Sequence, residues 1–167
     1  MSVTKRRLQL LIVLLAFFAG CTPARYVPNK DQQVPTVAVW DLENLNPTEA
    51  IGIDMAELLA AKVIETLEES GTYQLVEREQ LILALKELDL STTLLVDEDT
   101  RLRIGQICGA RFMVFGSYFV HGELMRLDLR LVEVETGRIV KATQKTTSAG
   151  DLNSWFKIAK EAAQELI

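Results

Sequence analysis

Phe112-Met113-Val114-Phe115-Gly116-Ser117-Tyr118-Phe119-Val120 is followed by His121-Gly122 and then by a second apolar run, Leu124 to Val134. In that second run Leu127, Leu129 and Leu131 alternate with Arg126, Asp128 and Arg130. A strand sends successive side chains to opposite faces, so this alternation predicts one buried and one polar face. His121-Gly122 turns the first strand into the second. Glu135-Thr136-Gly137 is a second tight turn, from which Arg138 to Thr146 returns as a third strand. Gly137 supplies the positive φ that a short hairpin needs. Three consecutive strands joined by tight turns therefore close a sheet.

Working back toward the N-terminus, Thr36-Val37-Ala38-Val39-Trp40 is apolar and β-branched enough for a buried strand. Asp41 to Leu45 leaves it. Asn46-Pro47-Thr48-Glu49 offers one helix start, with proline in the first turn, and Asp54 offers a competing cap. Ala56, Leu59, Ala60, Val63 and Leu67 then recur at helical spacing up to Gly71, a C-terminal stop. Lys62, Glu65, Glu68 and Glu69 fall largely on the other side. Tyr73 to Glu77 is a short strand, and Arg78 to Leu88 a helix with Leu81, Ala84, Leu85 and Leu88 on one face. Ser91 to Val96 connects it to a helix whose start is loaded with Asp97, Glu98 and Asp99, where the helix dipole favours negative charge. Ile104, Ile107 and Cys108 form the apolar side of that helix, which stops at Gly109. Downstream of the three strands, Ala149 to Ile167 carries a stripe of Trp155, Ile158, Ala159, Ala162 and Leu166. The order β-α-β-α-α-β-β-β-α implies a single α+β domain over 36–167, with a mixed sheet of about five strands and helices packed on it. The helix running to Ile167 leaves open whether the chain continues.

The first 35 residues read differently. Lys5, Arg6 and Arg7 precede an apolar stretch from Leu8 to Phe18 broken only by Gln9. That stretch is about half the roughly 20 residues a membrane-spanning helix needs, and it matches the apolar segment of a secretory signal. It ends in Phe18-Ala19-Gly20-Cys21, which resembles the lipobox of bacterial lipoprotein precursors. On this reading 1–20 is a signal peptide, and Cys21 becomes a lipidated N-terminus carrying thioether-linked diacylglyceryl and an amide-linked chain such as palmitate. Two or three acyl chains hold a protein on a membrane where one is marginal. Thr22 stands where inner-membrane retention calls for Asp, so the outer membrane is expected. A signal cut elsewhere or an uncleaved anchor are the alternatives. Residues 21–35, with Pro23, Pro28 and Pro35 and no apolar periodicity, form an extended tether of roughly 3 Å per residue.

The 167 residues carry a net charge of −5, and removing Lys5, Arg6 and Arg7 makes the remainder more acidic still. An acidic domain without a basic stripe repels phosphate backbones, which argues against nucleic acid as a partner. With Cys21 assigned to lipid, Cys108 has no cysteine left to pair with. One thiol and one histidine cannot build a zinc site, and Cys108 is expected as a small buried hydrophobe. Asp41 and Glu43 lie two apart at a strand end, the spacing of an acid/base pair, but no His, Ser or Lys partner is placed near them by motif, and loop capping is the expected role. Asp97-x-Asp99 invites a calcium reading, but Arg101 occupies the next alternate position. Gly105-x-x-x-Gly109 lies outside any apolar 20-mer, so it is no membrane-helix contact. His121 reads as a solvated turn residue. No phosphate-cradling glycine loop and no nucleophile elbow occur, so neither a cofactor, a metal nor an enzymatic activity is expected.

Three blocks carry a resemblance: Tyr73-Gln74-Leu75-Val76-Glu77-Arg78-Glu79-Gln80-Leu81, Gly109-Ala110-Arg111-Phe112-Met113-Val114-Phe115-Gly116-Ser117, and Leu129-Arg130-Leu131-Val132-Glu133-Val134-Glu135-Thr136-Gly137. In order behind a lipobox, they resemble the CsgG family of outer-membrane lipoproteins over roughly Val34 to Thr147. Physically, Glu77 and Arg78 could pair or cap at a strand-to-helix junction, and Gly116 suits a strand that something approaches closely. The resemblance implies a periplasmic domain able to form rings, which in curli secretion carry a transmembrane barrel built from long hairpins. Here the Val120-His121-Gly122-Glu123 turn is too tight for a membrane hairpin, and the stretch after Thr147 runs quickly into helix. The Asn44 to Asp54 loop is also short for a pore constriction. A non-enzymatic outer-membrane lipoprotein is therefore expected, with the acyl anchor in the membrane lipid. It acts in envelope assembly or secretion by binding protein, a second copy of itself included. A soluble domain from Thr36 is expected to be a monomer or weak oligomer. A regulator of a peptidoglycan synthase, a flagellar accessory, and an envelope hydrolase using Asp41 and Glu43 are the competing readings.

Overall fold

In the computed structural model, residues 34–46, 55–88 and 97–167 are described; the fold unit they belong to runs Val34–Ile167. In chain order the elements are β1 (Thr36–Val39), β2 (Glu43–Asn44), α1 (Met55–Ser70), β3 (Gln74–Leu75), α2 (Arg78–Glu87) and α3 (Glu98–Ile107). The three long strands β4 (Phe112–His121), β5 (Leu124–Glu133) and β6 (Ile139–Ser148) follow, and α4 (Leu152–Glu165) closes the fold. The expected α+β architecture stands, with a sixth strand that alternation could not reveal, because β2 is two residues long. The signal peptide, Cys21, the tether, the helix starts at Pro47 and Asp54, the 44–54 loop beyond Asn46, and Ser91 to Val96 lie outside the described residues.

The sheet order is β3-β1-β4-β5-β6, with β2 pairing β4 on the same side as β1. β3, β1 and β2 run parallel to their neighbours, whereas β4, β5 and β6 form the antiparallel meander read from the sequence. β1 and β2 amount to one interrupted strand. Val39 is level with Val114 and Glu43 with Ser117, so Trp40, Asp41 and Leu42 stand against only Phe115 and Gly116. That one extra residue is a bulge, and it breaks the two-residue alternation. Trp40 and Leu42 are both buried, yet on opposite sides of the sheet.

One face is sealed by α1 and α4. Val114, Tyr118 and Val120 of β4 and Met125, Leu127, Leu129 and Leu131 of β5 meet Leu59, Val63 and Leu67 of α1 and Trp155, Ala159 and Ala162 of α4 there. The stripes of both helices are those the periodicity predicts. A fully buried leucine or methionine contributes roughly 1.5–3 kcal/mol over an exposed one, so this layer holds most of the driving force. The Trp155 indole N–H also donates to the Ser148 carbonyl at 3.0 Å, which removes the polar liability of a buried tryptophan.

Among the described residues, the other face is covered only at the β3, β1 and early β4 end, where α2 and α3 pack Leu81, Ala84, Leu85 and Ile104 on Ala38, Trp40, Met113 and Phe115. α3 comes in tightly. A Cβ at Gly105 would lie 2.5 Å from the Met113 sulfur, so this glycine serves helix-to-sheet packing. Two expectations for α3 are corrected. Ile107 is 48% exposed, because its place on the helix looks away from the sheet. Cys108 is only half-buried against the cluster; burial first and the Glu87 charge second push its thiol pKa up. Asp97 caps α3 by accepting from the Thr100 N–H at 2.9 Å, as its position at the helix start predicts.

Candidate binding surface

Beyond the end of α3 the second face of β4, β5 and β6 is uncovered among the described residues. β4, β5 and β6 are ten residues each, and alternation sends Ser117, Arg126, Asp128, Arg130 and Gln144 to this side. The side chains of β4 and β5 opposite them face the helix-sealed core. A cleft of about 510 Å³ occupies the angle between α3 and the strands, lined by Glu43, Arg101, Phe115, Ser117, Asp128 and Arg130, with Gln144 at its β6 rim.

Every basic group of this surface is paired within the domain. Arg101 meets Glu43 at 2.5 Å and lies over the Trp40 ring at 5.7 Å. Arg130 meets Glu98 of α3 at 3.1 Å and lies over Phe115 at 5.6 Å. Arg126 grips Asp128 through Nε and a terminal nitrogen, both at 2.7 Å. That bidentate hydrogen bond, reinforced by the charge of Asp128, raises the Arg126 pKa. Stacking on Trp40 and Phe115 fixes two of the guanidiniums in place, which lowers the ordering cost of a partner. The surface thus presents fixed charges of both signs in alternation, suited to another polar protein surface and ill suited to a polyanion.

The bulge decides what becomes of the proposed acid pair. Asp41 is held by Arg78 at 2.7 Å, at the start of α2, and Glu43 by Arg101. Each carboxylate has its own arginine partner on a different helix. The Val-Glu-Arg block is explained by the same contact: Glu77 stands at the N-cap without a side-chain capping bond, and Arg78 reaches across to Asp41. His121 ends β4, exposed, with its ring stacked on Phe119 at 6.0 Å. Among the described residues no group of three or more His, Cys, Asp or Glu side chains is placed to hold a metal ion. No described helix is long and apolar enough to cross a membrane. The sequence revealed Arg126, Asp128 and Arg130 as a polar face but not the helix residues that meet it, because Glu98, the partner of Arg130, and Arg101, which lines the cleft, come from a distant helix.

Gly116 explains the second block. A Cβ there would sit 2.6 Å from Leu129 Cδ2 and 3.0 Å from Leu42 Cγ. The bare backbone lets the bulge tuck Leu42 into the core while Glu43 turns to the cleft. Gly137 adopts φ 67° in the last turn, as expected.

The family described as curli production assembly/transport component CsgG matches residues 28–122, which stops short of the third resemblance block at Leu129 to Gly137. A search of curated proteins finds no match. Among solved structures, the LpoB C-terminal domain from Salmonella enterica is similar with a TM-score of 0.58 and 20% identity, over 83% of this chain and 93% of that one. Lipoprotein GNA1162 from Neisseria meningitidis gives 0.54 and 13%, over 78% and 95%. A PelC dodecamer from Paraburkholderia phytofirmans gives 0.50 and 15%, over 79% and 85%. At these identities the likeness is one of fold.

Proposed function

The chain belongs to the CsgG family of envelope lipoproteins, and from that premise we propose that it is a non-enzymatic outer-membrane lipoprotein acting in envelope assembly or secretion. Cys21 is its membrane attachment, and the open face of β4 and β5 is where it takes hold of a partner protein. The observation that carries this reading is the cleft itself. Its arginines are neutralised in place and stacked on aromatic rings, an arrangement made for recognition rather than for proton transfer. Asp41 and Glu43 are each paired with an arginine on a different helix, which supports a binding role over the hydrolase reading.

A second reading, regulation of a peptidoglycan synthase, is favoured by the likeness in fold to the LpoB C-terminal domain. The described hairpin supports a binding role over pore formation, since one side of β4 and β5 is filled by α1 and α4 and the other carries ion pairs.

Two experiments test the proposal. Cys21→Ser is expected to abolish acylation and release the chain from membranes; an unchanged membrane fraction rejects the anchor. A photo-crosslinking residue at Ser117, in intact cells, is expected to trap an envelope protein that the same residue at Lys157, on the outer side of α4, does not. A secretion component supports the first reading and a synthase the second. Equal capture from both positions, or none, overturns the role of the open face.

A further inference from the structure

One edge of the sheet is β6, and among the described residues it lacks the protection that edges usually carry. Among the described residues only β5 pairs with it. Native edge strands are blunted by proline, by a bulge, by shortness or by lysines standing over the edge. β6 has ten residues and no proline, and its irregularity is confined to one end, opposite Leu131 and Val132. Its two lysines are drawn to the helix-sealed side: Lys145 pairs with Glu165 of α4, which also accepts from Thr143, and Lys141 donates to the Ile167 carbonyl. On the open side the strand shows only Ala142, Gln144, Thr146 and Ser148, all exposed and none charged.

The direction of the backbone groups along this edge follows from one bond. The Ala149 N–H donates to the Glu123 carbonyl at 2.8 Å, which makes that pair a hydrogen-bonding one. In an antiparallel ladder such pairs alternate, and the register sets Thr147, Lys145, Thr143 and Lys141 as the other residues bonded to β5. The N–H and C=O of Ala142, Gln144 and Thr146 therefore point outward.

The geometry points to a homodimer in which β6 pairs antiparallel with β6 of a second copy, on a two-fold axis through Gln144. An edge strand is complementary to itself under such an axis, and its charges select the register. Centred on Gln144, the overlap runs from Val140 to Ser148; Lys141 faces Thr147, Lys145 faces Thr143 and Ala142 faces Thr146. Moving the centre to Thr143 sets Lys141 against Lys145, and moving it to Lys145 sets that lysine against itself, both like-charge pairs that destabilise a ladder. A centre at Ala142 avoids the clash but shortens the overlap. Pairing at Gln144 also joins the two open faces across the axis, since Gln144 forms the rim of each cleft.

The test is disulfide trapping of the full chain in a Cys108→Ser background, with the parent lacking new cysteines as control. Hydrogen-bonded antiparallel pairs place Cα atoms about 5.5 Å apart, within the roughly 4.4–6.8 Å a disulfide spans. Gln144→Cys is expected to give a covalent dimer under mild oxidation. Ala142→Cys and Thr146→Cys are each expected to stay monomeric alone and to form a dimer when expressed together. In parallel, Gln144→Pro removes only an outward N–H, which an edge strand tolerates. It is expected to leave the circular dichroism spectrum unchanged while abolishing the dimer in detergent-solubilised mass measurements. No dimer from Gln144→Cys, equal trapping from all three positions, or a dimer that survives Gln144→Pro would each overturn the proposal, including the case in which another strand occupies the edge.

Discussion

The two faces of one sheet are built from the same strands and differ in almost everything else. On the sealed face β4 and β5 present valine, methionine, tyrosine and leucine to α1 and α4, and none of these side chains reaches solvent to any extent. On the other face the described helices stop partway, and the same strands carry Ser117, Asp128 and Arg130 into a cleft, with Arg126 held to Asp128. The first face supplies the apolar area that offsets chain entropy. The second is then released from that duty and can hold charges fixed for a partner. If this division is right, substitutions on the sealed face change stability, and substitutions on the open face change binding.

The largest effect should come from Trp155→Ala. The side chain is fully buried, and its loss leaves a cavity beside Tyr118 as well as an unpaired Ser148 carbonyl. Truncations of this kind cost about 3–5 kcal/mol, against a typical domain stability of about 5–15 kcal/mol. Urea unfolding measures it; a loss below about 1 kcal/mol would mean that α4 is not the keystone of the sealed face. Gly116→Ala tests the same face from the strand side. Its Cβ meets Leu129 and Leu42 at distances that a packed core does not accept, for an expected cost of about 1–3 kcal/mol. A neutral result would show that the bulge at Trp40 to Leu42 has room to move.

The contrast between the faces also explains what could be read without coordinates. Leu127, Leu129 and Leu131 against Arg126, Asp128 and Arg130 announce both sides of β5, and the stripe from Trp155 to Leu166 announces the face of α4, because alternation and helical period are local properties. The bulge is not local. Nothing in Trp40-Asp41-Leu42-Glu43 says that β4 will pass it with one residue fewer. Asp41 and Glu43 consequently read as one pair when they belong to two arginines. Ile107 is exposed against expectation for a related reason: helical spacing identifies an apolar residue but not the depth at which a helix docks. The cleft was half legible, its strand residues visible as a polar face and its helix residues, Glu98 and Arg101, hidden until the chain folds.

On the open face, Arg130→Ala should have a small effect on stability and a large one on recognition. The Arg130–Glu98 pair is partly exposed on both sides, and pairs of this kind contribute about 0–1 kcal/mol. Unfolding should therefore shift by less than about 1 kcal/mol, while crosslinking from Ser117 is lost. A destabilisation matching that of Trp155→Ala would erase the distinction between the faces.

The smallest effects, and the finest test of the comparison, lie in the two helix caps. Asp151 begins α4 on the sealed side and Asp97 begins α3 on the half-open side. The Ser154 hydroxyl first and the Asn153 N–H second hold the Asp151 pKa below its ordinary value. For Asp97 the Thr100 N–H and then the Thr100 hydroxyl do the same. A carboxyl whose folded pKa is depressed adds stability that is complete above its unfolded pKa and is lost as the pH falls through the folded one. Both caps therefore act on the acid limb alone and leave neutral stability flat. Asn still caps a helix but does not titrate there, so Asp151→Asn and Asp97→Asn should each flatten the decline in Tm from about pH 5 to about pH 3. Because both helices dock on one continuous sheet, a single cooperative transition must register both changes. If only Asp151→Asn flattens the limb, then α3 opens before the rest and the half-open face is a separate unit of stability.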